Sequence, residues 1–565
     1  MVIPVIRSAR WAASLLSASL LSASLLSASL LSASLLSACA GEKASPPPAD
    51  SGAEGGVLPA EPPAVDPLRA LTRMSLDLRG VRPSLEEIAA VQADPAALDR
   101  LRAEMLADPR WSERLVSAFQ EEWTTVQDEA EHPAATFGLR DEPAFARAVG
   151  EEPLRLMAHV AAEDLPWTTA VTADFTLVDA NLAAAWPVEP LEPPGEGWVR
   201  ARYTDGRPAA GVLVTNGLWW RYETSPNNAS RARANQVSRL LLCRDYLSQP
   251  VTFDRSLDLA DPAVARAALE SNPGCVSCHS SLDPLASLLG GVYFSRKSGP
   301  EEMLRYHAER EGIWREQTGV PPAYFGQPAE TLLDLGQRLA ADPGFVDCAV
   351  EQAAAHLLRR PLGLGDSAAR DRYREAFLGG DLRLRALWDA ILRDPLYLGP
   401  AAGAAVAPGQ VAAKLLSPDQ LSSQIEDLTG YRFVVDGADL LRTSDRGLAT
   451  LVGGSDGRYS RGLSQSWSAT QVLVVERVAL LAADALVQGD WARLLTVDPS
   501  APVEGDALRA ALADLHLRVL SQPAGPEALA LLAEHHAAVA AEAGPAAAWT
   551  SVISVLMRDP EFLVY

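Results

Sequence analysis

Aromatic residues are scarce in this sequence, 6% of 565 positions, and cysteine and histidine are scarcer still, at five and eight. Hydrophobic residues nonetheless make up 48%, dominated by Ala and Leu. That balance disfavours sheet-rich architectures and favours helices packed on helices. The fold class expected is mainly α: a multi-domain helical protein with repeated helical units and a small β-hairpin in the central region. Positive charge is in deficit, with 49 Lys and Arg against 72 Asp and Glu and a net charge of −23. So acidic a surface argues against nucleic acid and against docking onto anionic lipid. There is no Gly-rich phosphate loop, no nucleophile elbow and no HExxH. Glu534-His535-His536 lacks the spacing of a zinc protease and reads as a polar helix face. A zinc site drawn from Cys243, Cys275, Cys278 and Cys348 or His279 would call for a second CxxC or an HxxxH, and neither occurs. A thioredoxin-like use of Cys275 and Cys278 lacks its βαβ context.

What is present begins with an N-terminal address. Arg7 and Arg10 precede a charge-free Leu/Ala/Ser run over 11–38, built on the repeat Leu-Leu-Ser-Ala-Ser. It reads as an export signal over 1–38 rather than an uncleaved membrane anchor. It closes on Leu36-Ser37-Ala38-Cys39, which resembles the lipobox of bacterial lipoproteins. That resemblance implies cleavage before Cys39 and lipidation of its thiol, leaving a chain of net charge −25. Ala40 carries no inner-membrane retention signal, so the expected location is the periplasmic face of the outer membrane or the cell surface. Residues 39–66, with Pro46-Pro47-Pro48 and Gly55-Gly56, form a Pro/Gly/Ala tether. Outside the cytoplasm haem c is attached and disulfides persist.

At this length about three to four domains' worth of core is expected. The boundaries read as an N-terminal helical domain over 67–130, a central domain over 131–398, a linker over 399–410 and a C-terminal helical domain over 411–565. One punctuation recurs. Apolar stripes at i, i+3/i+4, i+7 run into Asp108-Pro109-Arg110-Trp111, Asp342-Pro343-Gly344-Phe345, Asp394-Pro395-Leu396-Tyr397 and Asp559-Pro560-Glu561-Phe562. Asp at the N-cap and Pro at N1 end one helix and start another. Around three of these the wider order repeats: Leu76–Trp111, Ala355–Tyr397 and Leu515–Phe562 each read as helix, Pro-containing turn, helix, stripe. A helical unit of about 40–55 residues used three times is predicted. Trp198–Val214, with Asp205-Gly206 inside it, reads as the β-hairpin.

Chemistry is specified most sharply by Cys275-Val276-Ser277-Cys278-His279. CxxCH is what covalent haem c attachment requires, with two thiols for the thioethers and the adjacent imidazole as proximal ligand. Cys275, Cys278 and His279 are therefore the expected cofactor-binding residues, and His279 the ligand of the haem iron. Met303 or His307, on a predicted helix downstream, would supply a second axial ligand. Met157 and His159 are weaker candidates. Arg231, Arg233 and Arg239 could neutralise propionates or simply form a solvated helix face. Cys243 and Cys348, each on an apolar helix face, are expected to form a disulfide. His356 reads as packing or capping, and Trp219-Trp220-Arg221-Tyr222 as buried aromatic packing.

The export signal, Leu71–Trp123, Ala173–Pro187, the CxxCH followed by Asp283-Pro284, Leu241-Leu242-Cys243, Phe345-Val346-Asp347-Cys348 and Leu556–Leu563 together resemble the Planctomycete-cytochrome-C group. These are large exported bacterial proteins of uncharacterised helical domains. In that group Asp-Pro is usually followed by Gly and an apolar-acidic run, whereas here Leu285-Ala286-Ser287-Leu288-Leu289-Gly290-Gly291 follows. The expectation is a lipid-anchored c-type-cytochrome-like protein using one haem for electron transfer or redox sensing, with an unknown redox or structural protein as partner. The alternative is a non-catalytic surface scaffold or binding lipoprotein whose cysteines are structural. Neither reading makes the chain an enzyme.

Overall fold

The computed structural model describes residues 66–565, apart from Pro194, Glu196 and residues 251–257, 296–297, 400–409, 412, 445–446 and 456–461. The export signal, Cys39, the tether before Asp66 and most of the 399–410 linker lie outside the described residues. Twenty-four α-helices are described against seven strands, none longer than five residues, so the chain is mainly α. No described helix is long and apolar enough to cross a membrane.

The Asp-Pro punctuation works as the sequence chemistry requires. The side chains of Asp108, Asp394 and Asp559 each accept a hydrogen bond from the backbone N–H two residues on, at 2.9, 2.9 and 2.8 Å. Each satisfies one of the donors that a helix start leaves open. Trp111, Tyr397 and Phe562, three residues after each Asp, are buried. The repeated unit is visible in its full order. A first helix (Pro67–Arg79, Pro343–Leu358, Gly505–Leu520) ends in a left-handed residue, Gly80, Arg359 or Ser521. A Pro-containing turn follows, then two helices (Leu85–Ala93 and Ala97–Leu106; Ser367–Gly379 and Leu384–Leu392; Pro526–Ala543 and Pro545–Leu556) and the Asp-Pro-capped helix.

Among the described residues two hydrophobic cores are present. One runs from Leu71 through Val411, so residues 67–130 share a core with the central region and do not close one of their own. The other gathers residues 416–565 around Leu76 of the first unit. That first unit also anchors the polar seam between them. Asp77 accepts hydrogen bonds from Tyr397, Lys414 and Tyr565. Arg82 donates to the carbonyls of Leu520, Glu561 and Phe562. Burial lowers the Lys414 ammonium to about 7 even though Asp77 faces it.

The predicted hairpin is corrected. Only Val199–Tyr203 (β3) is a strand, and it lies between Thr176–Val178 (β1) and Val188–Pro190 (β2) in an antiparallel sheet of order β1-β3-β2. Asp205-Gly206 does turn the chain, with Gly206 at φ +79°, but Gly211–Val214 then coils into a buried 3₁₀ turn. Gly211 explains why: a Cβ there would stand 2.1 Å from the Ala170 carbonyl oxygen. That close a backbone approach under the core leaves no room for a solvent-facing strand.

Candidate functional site

Cys275, Cys278 and His279 lie on the helix Pro273–Ser287, started by Asn272, whose side chain accepts from the Gly274 N–H. At 3.6 residues per turn the three side chains fall within about 100° of arc. Both thiols are free and half-buried. His279 is 28% exposed at its side chain, and its Nδ1 lies 2.8 Å from Asp283 Oδ1 one turn on. Asp283 is in turn gripped by Arg231 through Nε at 2.7 Å and Nη2 at 2.8 Å. Burial pushes the Asp283 carboxyl up, but the hydrogen bonds from Arg231 and His279 hold it below its ordinary value. The stable carboxylate draws the Nδ1 proton, so the lone pair of His279 sits on Nε2, the atom a metal would take. The helix is seated by Leu282, Leu285 and Ala286. The unusual run after Pro284 has a packing cause: at Gly291 a Cβ would stand 2.5 Å from the Tyr306 ring, and at Gly290 2.2 Å from the Arg310 carbonyl oxygen.

The residues proposed to complete an iron site are engaged elsewhere. Met303 is 2% exposed, its sulfur 3.2 Å from His132 Nε2. His307 lies beyond the short helix Pro300–Leu304, and both its ring nitrogens are engaged, with Glu309 Oε1 and the Glu302 carbonyl, each at 2.9 Å. Met157 is wholly buried, and His159 packs edge-on against Phe175. Of the arginines, Arg231 holds Asp283. Arg233 donates to the carbonyls of Tyr222, Val292 and Trp219, and Arg239 pairs with Glu122. Arg233 and Arg239 are buried, unlike a solvated helix face.

Cys243 and Cys348 are joined by a disulfide that ties the end of helix Arg231–Leu242 to helix Pro343–Leu358. Among the described residues no group of three or more His, Cys, Asp or Glu side chains is placed to hold a metal ion.

A second constellation escaped the sequence reading. His356 is more than a packing residue: its Nδ1 lies 3.1 Å from Glu121 Oε2, and Arg359 Nη1 donates to both Glu121 oxygens at 3.0 and 2.9 Å. Burial raises the Glu121 carboxyl, but Arg359 and then His356 outweigh it and set it at about 2. His356 is held down by burial against the pull of Glu121, and so stays neutral. Its Nε2, and Nε and Nη2 of Arg359, are shielded from bulk water with no hydrogen-bond partner. Each such group costs about 1–3 kcal/mol if left so. All three side chains line a cavity of about 550 Å³, and no residue of helix Pro273–Ser287 contributes to it. Glu121 and His356 are 235 positions apart, so no local spacing announces them.

Residues 67–188, from the first helical unit through the start of β2, match a family model described as PSD4, a protein of unknown function (DUF1592). No curated protein and no protein of solved structure matches the chain.

Proposed function

We propose that the chain is an exported, lipid-anchored c-type-cytochrome-like protein carrying a single covalently bound haem for electron transfer or redox sensing. The observation that carries this reading is the helix Pro273–Ser287. It presents two free thiols one turn apart beside an imidazole whose Nδ1 is committed to Asp283, leaving Nε2 open. This donor set fits haem c: Cys275 and Cys278 would hold the macrocycle and His279 the iron. A haem held there supplies one-electron redox chemistry. Asp283 and Arg231 fix the tautomer and direction of the imidazole. Met303 and His307 do not fit as second ligands, because the sulfur and both ring nitrogens already have partners within the fold. Of the candidates Met303, His307 and His279, only His279 keeps a ring nitrogen with which it would hold the iron. Export rests on the Arg7/Arg10 and Leu36–Cys39 pattern, which also places a lipid on Cys39 and the membrane among the partners.

The test is expression of the full chain with haem-maturation machinery, followed by denaturing electrophoresis. Haem that stays on the polypeptide, with a Soret band lost in Cys275→Ser/Cys278→Ser, is the expected outcome. A chain without covalent haem would leave the surface-scaffold reading, in which these thiols are structural.

A further inference from the structure

A second cavity, of about 480 Å³, lies among the start of helix Pro109–Trp123, the end of helix Glu142–Ala162 and Trp198, the residue before β3. Neither the Glu121 trio nor any residue of helix Pro273–Ser287 contributes to it. We propose that this cavity binds a neutral saccharide, with Trp198 as the surface on which a sugar ring packs and His159, Ser112 and Arg385 as its hydrogen-bonding partners.

The wall carries hydrogen-bonding capacity that the fold leaves unused and that water can reach. Among the described residues, neither ring nitrogen of His159 has a hydrogen-bond partner, and the same holds for the Trp198 indole N–H, the Ser112 hydroxyl and Arg385 Nη1. None of these atoms is sealed from solvent, unlike Trp111 Nε1 and Arg385 Nε on the same wall, which are. Glu163 is exposed, and its carboxylate accepts no hydrogen bond and forms no ion pair among the described residues.

The mixture of donors and acceptors points to hydroxyl groups. Burial holds the His159 imidazole below its ordinary value, so at neutral pH one ring nitrogen donates and the other accepts. The Ser112 hydroxyl does both, Trp198 Nε1 and Arg385 Nη1 only donate, and Glu163 only accepts. A sugar hydroxyl is likewise donor and acceptor at once, and neighbouring hydroxyls on a ring use both kinds of partner. A small anion would meet Glu163, and a small cation would meet Arg385. The body of the ligand has its own support. Trp198 is half-buried, with the Arg155 guanidinium 5.1 Å from its ring centroid. Arg155 is pinned in turn, through Nε on Glu151 and Nη2 on Glu113, each at 2.8 Å. The indole is therefore held before a ligand arrives, and a site ordered in advance loses less affinity to ordering. An aromatic body with a polar tip suits a ligand with a C–H face and a hydroxyl rim. About 480 Å³ lies within the range of small-molecule pockets.

The experiment is titration of the purified full chain with cellobiose, maltose and lactose, read by calorimetry and by tryptophan fluorescence. Saturable 1:1 binding of at least one of the three is expected. Trp198→Ala removes the packing surface and should weaken that sugar by about tenfold or more. His159→Phe keeps a ring against Phe175 but loses both nitrogens, and should weaken it by about threefold or more; it serves where Trp198→Ala does not fold. The proposal is overturned by no saturable binding of any of the three sugars at tens of millimolar, or by affinity unchanged in both variants. Saturable binding of L-leucine with no binding of the sugars would overturn the saccharide class in favour of a zwitterion held between Arg385 and Glu163.

Discussion

Two histidines in this protein are built on the same plan and placed in opposite surroundings. His279 and His356 each turn Nδ1 toward a carboxylate, Asp283 or Glu121, and each carboxylate is held by an arginine, Arg231 or Arg359. The Nε2 of His356 is sealed off without a hydrogen-bond partner. The first imidazole stands half-exposed on a helix with two thiols, whereas the second is 8% exposed at its side chain, on a cavity wall. The difference teaches what burial adds to a shared motif. Asp283 is itself buried, but His279 and Arg231 beside it are partly exposed, so water can reach them when the carboxylate is removed. Inside the protein the same trio becomes an obligate set, because deleting one member strands the charge of another.

The most disruptive way to break the comparison acts on one side only. Replacing Cys243 and Cys348 by Ser removes a closure across 105 positions. It should cost up to about 4–5 kcal/mol in the chain-entropy picture. Urea unfolding should report that loss, while the free thiols of Cys275 and Cys278 remain equally reactive. Next in size, Glu121→Ala leaves Arg359 buried without its counter-ion and should destabilise the fold by about 3–5 kcal/mol.

The acid limb sharpens the contrast further. His356 is neutral in the folded state while its unfolded counterpart takes up a proton below 6.5, so the unfolded chain binds more protons and stability falls as pH drops through that value. The slope contributed is at most about 1.4 kcal/mol per pH unit. Glu121 adds a second loss between its ordinary 4.5 and about 2, since its folded value is depressed and protonation favours unfolding. In His356→Gln, melts between pH 5 and 7 should lose the first of these components, while melts between pH 2 and 4.5 keep the second. Smallest of all, Asp283→Ala should cost only about 1–2 kcal/mol, because the partners it releases, Arg231 and His279, are themselves partly exposed to water. Denaturation equal in cost to Glu121→Ala would show that the two trios do not differ as their burial implies.

The parts of this architecture that were readable in sequence are those written by local chemistry. Asp at the N-cap with Pro at N1 needs only adjacent residues, so the boundaries at Asp108, Asp394 and Asp559 and the threefold unit were visible in the one-dimensional pattern. Helix content followed from the Ala/Leu stripes. What failed depended on distant partners. Asp205-Gly206 carries a true turn signal, yet β3 takes its neighbours from 176–178 and 188–190 and not from the residues after the turn. Met303 and His307 were placed by helical spacing, but the helix there stops at Leu304, and His132, 171 positions away, meets Met303. Cys275–His279 stood out as a candidate because the chemistry proposed for it is written in adjacent residues. The Glu121–His356–Arg359 trio did not, because its geometry exists only once two helices have met.

The left-handed ends of the three first helices also bear on the history of the chain. Gly80, Arg359 and Ser521 occupy one equivalent position in three versions of a unit. A protein grown by duplicating a segment starts with interchangeable copies, and specialisation then proceeds copy by copy. The first copy is the hub, through Asp77 and Arg82, to which the last is fastened, and the middle one carries a guanidinium where the other two have none. Whatever residue 359 does therefore belongs to one copy of the unit and not to the framework that the three share.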